Sequence, residues 1–272
     1  MNNMRIMMTA ALLLGSALYA GANEQIVVDG STTVGPIAKA FAEYLMRHHP
    51  GLQITVSESG SGNGAKSLIN GVCHVATMSR PMKPQETKAA SLKGVNVVEH
   101  IIAMDALPVI VHPSNPVKHL TVAQVRDIYF GRIGNWKWLG GPNLKIVRIS
   151  RDTNSGTYEC FNEMVMNKTR MASDVEYVGS NGAVRQRVQS TPAAIGYAGL
   201  GFVDKTVKAV PINGITPCAE TVNDHSYPLS RPLYMYTNGE PASNTFLHTF
   251  IYFCTTPEGK QIINSIGFVA LP

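Results

Sequence analysis

The sequence predicts an α/β protein whose sheets are mainly parallel and flanked by helices. Short apolar runs typical of strands alternate with segments in which apolar residues recur at helical spacing. Polar loops rich in Ser, Thr and Gly separate several of these strands from the helices that follow. The 272-residue chain is 44% hydrophobic and 15% charged, a balance typical of a compact globular protein rather than a disordered one.

From the amino terminus onward, predicted strands and helices follow one another without an internal repeat or a long flexible linker. The helix predicted over residues 36–49 has Pro36 in its first turn, a position that proline favours. The run 52–58 alternates apolar and polar residues, as a half-buried strand does. The predicted strands span residues 26–30, 52–58, 74–79, 97–112, 144–151, 194–201 and 232–237, and the predicted helices span 36–49, 65–72, 121–130 and 158–166.

The first 22 residues have the pattern of a secretory signal peptide. One positive charge in MNNMR precedes an apolar stretch, and Ala20-Gly21-Ala22 fits a cleavage site before Asn23. A membrane anchor is the alternative, but the apolar span is short for crossing a bilayer. No second apolar run of spanning length and no lipobox cysteine follow. We therefore expect an exported, periplasmic protein whose mature chain begins at or near Asn23.

Charge and cysteine content narrow the classes of partner. The formal net charge is +5, but no run resembles a basic arm, so we expect no nucleic acid partner. A mild positive balance suits an anionic small ligand. The four cysteines, Cys73, Cys160, Cys218 and Cys254, are compatible with free thiols or with one or two disulfides. Their spacing does not match a zinc site, and we expect neither a metal nor a cofactor.

Three polar loops share one arrangement: GSTT (30–33), SGSGNG (59–64) and SGT (155–157) each follow a predicted strand and precede a predicted helix. Ligands of open α/β sheets bind at the carboxyl ends of strands, and a helix N-terminus favours an anion. One such loop alone is better explained by helix capping. Arg151 precedes the third loop and supplies a planar fork that matches a tetrahedral oxyanion. Together the loops and Arg151 predict one shared oxyanion site.

The motifs of nucleotide hydrolysis and of serine hydrolases are absent: neither G-x-x-x-x-G-K-[ST] nor G-x-S-x-G occurs. A secreted phosphatase or hydrolase with Ser155 as nucleophile is therefore an alternative for which the sequence supplies no obvious base. A surface or adhesion protein on the same scaffold is a second alternative. A binding protein for another tetrahedral oxyanion, such as sulfate, is a third.

The chain resembles the periplasmic phosphate-binding proteins of phosphate ABC importers over essentially its whole mature length. The segments that carry the resemblance are GSTTVGPIAKAFAEYL (30–45), SGSGNGAKSLINGVCHVATMSRPM (59–82), RDTNSGT (151–157) and TPAAIGYAGLGF (191–202). The resemblance implies a periplasmic-binding-protein-like fold with inorganic phosphate in a cleft between two lobes. It also implies delivery of phosphate to the membrane permease of an importer, and no enzymatic activity.

The resemblance also implies lobe boundaries and ligand contacts. We expect lobe 1 to contain residues 23–108 and 222–272 and lobe 2 to contain residues 109–221, in a monomer. The implied ligand contacts are Thr32, Thr33, Ser61, Arg151, Ser155, Gly156 and Thr157, with Ser31 as a neighbour.

The segment MSRPM (78–82) departs from the better-known members of the family. Those members place an aspartate, which accepts the proton of bound phosphate, where this chain has Ser79 followed by Arg80. Both are candidate phosphate contacts. Ser79 is both donor and acceptor, and Arg80 adds a second positive charge if it faces the cleft, the alternative being a surface or structural ion pair. Asp105 and Asp152 are candidate replacements for the missing acceptor.

Overall fold

The computed structural model describes residues 24–272, and the predicted signal peptide at residues 1–22 lies outside this range. The strands are β1 (Gln25–Gly30), β2 (Gln53–Ser57), β3 (Val75–Met78), β4 (Val97–Ala106), β5 (Val109–Val111), β6 (Val147–Arg151), β7 (Glu176–Val178), β8 (Ala194–Tyr197), β9 (Lys208–Val210) and β10 (Ser230–Asn238). The helices are α1 (Gly35–His48), α2 (Ser61–Ile69), α3 (Pro84–Leu92), α4 (Val122–Phe130), α5 (Gly156–Met164), α6 (Asn181–Gln189), α7 (Ala219–Asn223), α8 (Phe246–Tyr252) and α9 (Pro257–Ser265). Short 3-10 helices span Trp136–Leu139, Leu200–Phe202 and Phe253–Thr255.

The strands form two five-stranded sheets, with the orders β2-β1-β3-β10-β4 and β7-β6-β8-β5-β9. In the first sheet β1 is parallel to β2 and β3, whereas β10 is antiparallel to β3 and β4. In the second sheet β6 is parallel to β7 and β8, whereas β5 is antiparallel to β8 and β9. The predicted α/β architecture is confirmed, but the sheets are mixed rather than mainly parallel. The antiparallel pairings involve β5 and β10, the strands that follow the two crossings between the lobes.

The lobes are joined where β4 leaves the first sheet and β10 enters it. Ala106 is paired with Ser230, and the Leu107 N–H donates to the Leu229 carbonyl at 2.8 Å. The β-rich segment predicted over residues 97–112 divides here into β4 and β5, because Pro108 has no N–H to donate to a sheet. Two adjacent antiparallel segments therefore form the connection between the lobes.

We propose that the chain enters lobe 2 at residues 107–108 and returns to lobe 1 at residues 229–230. Val222, Tyr227 and Leu229 are buried in the same apolar cluster as Val109 and the other core residues of lobe 2. This packing favours a return to lobe 1 later than residue 222, the position expected from the resemblance.

Each lobe has its own hydrophobic core. In lobe 1, Phe41 of α1 is fully buried among side chains of β1, β10, α8 and α9. In lobe 2, Phe161 and Tyr197 stack at 3.8 Å between ring centroids. The buried Trp136 satisfies its indole N–H by donating to the Ala193 carbonyl at 2.9 Å. The two cores are largely separate, although Val269 of the C-terminal segment is buried in the lobe 2 cluster. Such lobes can move as nearly rigid bodies about the segments that join them.

The four cysteines are free thiols, so neither of the disulfide arrangements left open by the sequence is formed. Cys73, Cys160 and Cys254 are buried, and Cys218 is half-buried. Burial raises the pKa of the Cys73 thiol to about 12 and that of Cys254 to about 11. These two thiols are therefore protonated and weakly nucleophilic at neutral pH.

We predict that Phe41→Ala lowers the free energy of unfolding by about 3–5 kcal/mol, because it removes a ring packed edge-on against Phe253 and Phe250. The matched control is Leu92→Ala at the end of α3, where the side chain is 80% exposed. We expect this control to change stability by no more than about 0.5 kcal/mol. Urea unfolding followed by circular dichroism measures both variants. Equal stabilities for Phe41→Ala and the wild type would contradict the role of Phe41 in the lobe 1 core.

Candidate anion-binding site

The three polar loops meet between the two lobes. Thr33 Oγ1 of lobe 1 lies 2.9 Å from Thr157 Oγ1 of lobe 2, although the two residues are 124 positions apart in the chain. The Gly62 N–H donates to the Asn154 carbonyl at 2.9 Å, which joins the second loop to the third. The buried hydroxyl residues of this region are Ser31, Thr32, Thr33, Ser61, Ser79, Ser155 and Thr157. The structure therefore gathers the hydroxyls of three separate loops together with that of Ser79, which follows β3.

The first loop has one hydroxyl that caps its own turn and two that face lobe 2. Ser31 Oγ accepts from the backbone N–H groups of Thr33 at 3.1 Å and Val34 at 3.4 Å. The hydroxyls of Thr32 and Thr33 instead accept from Asn181 in lobe 2. Ser31 therefore shapes the turn between β1 and α1, while the two threonines belong to the polar cluster.

Ser79 joins the second loop at the end of β3. Its backbone N–H donates to Ser61 Oγ at 3.1 Å, and the two hydroxyl oxygens are 3.4 Å apart. Gly156 of lobe 2 packs against both residues. A Cβ added at position 156 would lie 2.5 Å from Ser61 Oγ and 2.7 Å from Ser79 Oγ, so only glycine allows this close approach.

The third loop is the N-terminus of α5. Ser155 Oγ caps the helix by accepting from the Tyr158 N–H at 3.3 Å. The N–H groups of Gly156 and Thr157 lie in the first turn, where they have no partner within the helix. The helix dipole adds partial positive charge at this end. The loop therefore presents backbone donors together with the Thr157 hydroxyl.

Arg151 carries a buried positive charge beside these donors. Its residue surface is 1% exposed, and its guanidinium donates to the carbonyls of Val178 at 3.2 Å and Gly179 at 2.8 Å. The remaining nitrogen, NH1, is buried and has no hydrogen-bond partner in the described part of the chain. Within residues 24–272, Arg151 forms no ion pair.

The buried environment of Arg151 disfavours the charged form of its guanidinium. Burial lowers the pKa of Arg151 to about 10, and the nearby Arg231 adds to this effect while Asp152 opposes it. The guanidinium is therefore still charged at neutral pH, but its charge is poorly compensated. An anion that received the free NH1 donor would supply the missing compensation.

Arg231 is a second buried cation, which the sequence did not single out. Its Nε and NH2 lie 3.1 Å and 2.9 Å from Asp105 Oδ2, across the β4–β10 pairing. NH2 also donates to Thr157 Oγ1 at 3.2 Å, which links lobe 1 to lobe 2. Burial opposes the charge on Arg231, but the attraction of Asp105 outweighs it and raises the pKa of Arg231. Unlike Arg151, Arg231 therefore has a carboxylate partner.

Asp105, a candidate proton acceptor, has both oxygens engaged. Oδ2 receives the two donors of Arg231, and Oδ1 accepts from the Leu200 N–H at 2.8 Å. Burial raises the pKa of Asp105, and the charge of Arg231 opposes that shift. The other candidate, Asp152, accepts from the Asn154 N–H at 2.9 Å and so shapes the turn before Ser155. The contacts thus give both aspartates a supporting part in the structure.

Asn181, at the start of α6, is the other residue that sequence reasoning missed. Its Nδ2 donates to Thr33 Oγ1 at 2.8 Å and to Thr32 Oγ1 at 3.1 Å, and its Oδ1 accepts from the Gly199 N–H at 3.3 Å. The stretch EYVGSNG (176–182) repeats the order of strand, Ser and Gly, then helix, so a signal for Asn181 was present. Arg231 had no such signal, because it lies within a strand.

Arg80 lies at the edge of the cluster and is engaged by carboxylates. Its NH1 and NH2 each lie 2.7 Å from an oxygen of Glu86. Its Nε lies 2.9 Å from Glu159 Oε2 in an ion pair whose N–H is not aligned for a hydrogen bond. These contacts support the structural ion pair, which was one of the two roles expected from the sequence.

A two-lobed α/β protein with a buried polar cluster at strand ends and helix N-termini of both lobes has the architecture of a solute-binding protein that closes over a small ligand. The sequence profile of the PBP superfamily domain matches residues 17–258. The chain belongs to this superfamily and, within it, to the family of the phosphate-binding protein PstS.

Comparisons of sequence and of structure support this assignment. The chain is 34% identical to the phosphate-binding protein PstS of Staphylococcus saprophyticus, over 97% of this chain and 87% of the relative. It is 34% identical to the protein SphX of Synechococcus elongatus, over 91% of this chain and 77% of the relative. A putative phosphate ABC transporter substrate-binding protein with bound phosphate from Clostridium perfringens superposes with a TM-score of 0.85 at 34% identity, covering 92% of this chain and 100% of that chain. The family resemblance and the two-lobed fold that it implies are confirmed.

We predict that Gly156→Ala prevents the lobes from reaching the arrangement seen here, because the new methyl group would overlap with the hydroxyls of Ser61 and Ser79. Gly182→Ala in α6 is the matched control, since a Cβ there would lie no closer than 3.8 Å to Ser180 Oγ. Small-angle X-ray scattering should give a larger radius of gyration for Gly156→Ala only. A scattering profile equal to that of the wild type would show that position 156 tolerates a side chain.

Proposed function

We propose that this protein captures inorganic phosphate in the cleft between its lobes and delivers it to the membrane permease of an ABC importer. The observation that carries the proposal is the buried guanidinium of Arg151, which has an unpartnered NH1 and forms no ion pair within the described residues. A tetrahedral oxyanion matches the planar fork of an arginine. The PstS relatives are named for phosphate binding, and the Clostridium perfringens protein contains bound phosphate.

The donors around Arg151 suit several oxygens of one anion. We assign ligand contacts to the hydroxyls of Thr32, Thr33, Ser61, Ser79 and Thr157, with the N–H groups of Gly156 and Thr157 and the fork of Arg151. Ser31 and Ser155 support these contacts as caps. We assign no ligand contact to Arg80, because it forms ion pairs with Glu86 and Glu159. The polar groups come from both lobes, so binding favours closure about the connection at residues 107–108 and 229–230.

The protein acts in this proposal as a binding protein and not as an enzyme. Ser155 Oγ, the only nucleophile considered from the sequence, receives the Tyr158 N–H as a helix cap. In the part of the chain that the structure describes, no histidine or carboxylate is hydrogen-bonded to this hydroxyl, as a serine nucleophile requires. The hydrolase alternative predicts release of p-nitrophenol from p-nitrophenyl phosphate, and we expect none.

Delivery to an importer places the protein in the periplasm, as a monomer released by cleavage of the signal peptide at residues 1–22. This part of the proposal rests on the pattern of the first 22 residues and on the family. Among residues 24–272, no helix has both the length and the apolar character that crossing a bilayer requires.

A sulfate-like oxyanion is a second candidate ligand. The contacts of Asp105 and Asp152 favour it, because they engage both carboxylates within the protein. A carboxylate facing the ligand would accept a proton from hydrogen phosphate and repel fully ionised sulfate. Asp105 is held by Arg231 and Leu200, and Asp152 by the turn at Asn154. Ser79 is therefore the acceptor we assign to the ligand proton, and a hydroxyl accepts that proton without repelling sulfate.

We predict that Arg151→Ala weakens phosphate binding by about 2–5 kcal/mol, because the anion loses its charged fork in a buried site. Arg151→Lys should recover only part of this loss, since an ammonium cannot make the bidentate contact. The matched control is Arg185→Ala in α6, which removes a partly exposed arginine paired with Asp204. Isothermal titration calorimetry with phosphate measures the three variants. Wild-type affinity in Arg151→Ala would remove Arg151 from the site.

We predict that the wild type prefers phosphate over sulfate by about ten- to a hundredfold, the effect of one hydrogen bond left unmade, about 1–3 kcal/mol. Ser79→Asp should increase this ratio and lower the affinity for phosphate, because the new charge faces an anion. Competition binding with both anions gives the ratio.

The variants Asp105→Asn and Asp152→Asn separate Ser79 from the other candidate acceptors. A fall in the ratio of phosphate affinity to sulfate affinity in either variant would identify that aspartate as the acceptor, since an amide can donate to sulfate. Asp105→Asn also leaves Arg231 without its partner, so only a change in the ratio, and not a parallel loss of both affinities, is informative. Strong rejection of sulfate in the wild type and in both Asn variants would contradict every acceptor named here.

A further inference from the structure

Charged side chains from both lobes meet at the edge of the candidate site. We call them the rim cluster: Arg80, Lys83 and Glu86 from lobe 1 and Glu159 from lobe 2. Glu159 Oε2 lies 2.9 Å from Arg80 Nε and 2.7 Å from Lys83 Nζ. The side chain of Arg80 is 5% exposed and that of Glu159 is 16% exposed, so salt screens their attraction less than that of a surface pair.

The lobe 1 part of the rim cluster is held in place independently of lobe 2. Arg80 makes two contacts of 2.7 Å with Glu86 and donates to the Pro81 carbonyl at 2.9 Å. Glu86 also accepts from the Lys83 N–H at 2.8 Å, at the start of α3. All these contacts lie within lobe 1 and do not require the cleft to be closed. They fix the position of the Arg80 guanidinium from within lobe 1.

The excess positive charge of the lobe 1 part of the rim cluster favours contact with Glu159. Lobe 1 contributes two cations and one anion to the rim cluster, so it carries one excess positive charge on its own. Glu159 neutralises that charge only when lobe 2 is close. Closure of the cleft therefore brings together a partly buried ion pair that opening must separate.

The rim cluster is connected to the candidate site through both of its halves. Arg80 directly follows Ser79, whose hydroxyl lies in the site. Glu159 lies in the first turn of α5, which begins at Gly156 and presents Thr157 to Thr33. A movement of α5 that separates these site residues also separates Glu159 from Arg80 and Lys83. The ion pair is thus specific to the closed arrangement of the lobes.

We propose that Glu159 is a positioning residue for ligand retention: its ion pair with Arg80 and Lys83 holds the cleft closed and slows the release of the bound anion. This inference rests on the proposed function for the identity of the ligand, whereas the contact itself depends only on the two lobes. Glu159 acts through closure and does not touch the ligand. The anion is captured by the open cleft, where the ion pair is not formed. Glu159 therefore affects the dissociation rate constant and not the association rate constant.

The first test compares Glu159→Gln with the wild type in stopped-flow phosphate binding. We expect the dissociation rate constant to rise roughly tenfold and the association rate constant to change less than twofold, as when one partner of a buried charge pair is truncated. Glu159→Asp keeps the charge and should restore part of the slow release. Glu163→Gln is the matched control on the same helix, because Glu163 is 62% exposed and, among residues 24–272, forms an ion pair with Lys168 alone, at 3.5 Å. An unchanged dissociation rate constant in Glu159→Gln would overturn the proposal.

The second test measures the distance between the lobes directly. Spin labels are attached to Leu92→Cys in lobe 1 and Tyr177→Cys in lobe 2, both exposed positions, after Cys218→Ser removes the half-buried thiol. Glu159→Gln should shift the distance distribution from closed toward open, with or without phosphate, and Glu163→Gln should not. Equal distributions for Glu159→Gln and the wild type would also overturn the proposal. If the wild type bound no phosphate, the proposed function would fail, but this distance measurement would still decide the role of Glu159.

Discussion

The rest of the candidate site depends on the burial of the Arg151 charge, which forms no ion pair within residues 24–272. Two backbone carbonyls hold the guanidinium in place, and one of its nitrogens has no hydrogen-bond partner among the residues that the structure describes. Burial of an uncompensated cation is unfavourable, and here it lowers the pKa of Arg151 while leaving the group charged. The surrounding hydroxyls and the N-terminus of α5 add donors and no negative charge. An oxyanion is the species that satisfies this set of groups together.

Arg231 has a different part because Asp105 neutralises it. The pair lies on neighbouring strands of lobe 1, and Arg231 reaches Thr157 in lobe 2. Asn181 makes the reverse connection, from lobe 2 to the threonines of the first loop. Hydrogen bonds from Arg231 and Asn181 thus join the two lobes, while Arg151 has no ion-pair partner among the described residues. The rim cluster adds a charged contact between the lobes outside the site.

Much of this arrangement could be predicted from the sequence because its signals are local. A Ser, Thr and Gly loop between a strand and a helix places donors at a helix N-terminus whatever the rest of the chain does. For this reason GSTT (30–33), SGSGNG (59–64) and SGT (155–157) were recognised, and the structure brings them together. Several elements with weaker patterns, such as α3 and α6, were not predicted, because their apolar residues are few and packing decides their conformation.

The sequence by itself determined the α/β class, the three donor loops and the arginine that completes them, since each follows from residue types within one short segment. Only the tertiary structure decided which charges remain unmatched. Arg80, Arg151 and Arg231 are alike as residues, yet Glu86 and Glu159 engage the first, and Asp105 engages the third. Mixed strand pairing likewise arises from the two crossings between the lobes, which no local pattern encodes. Ion pairing and strand order depend on contacts between distant segments, and those contacts exist only once the chain has folded.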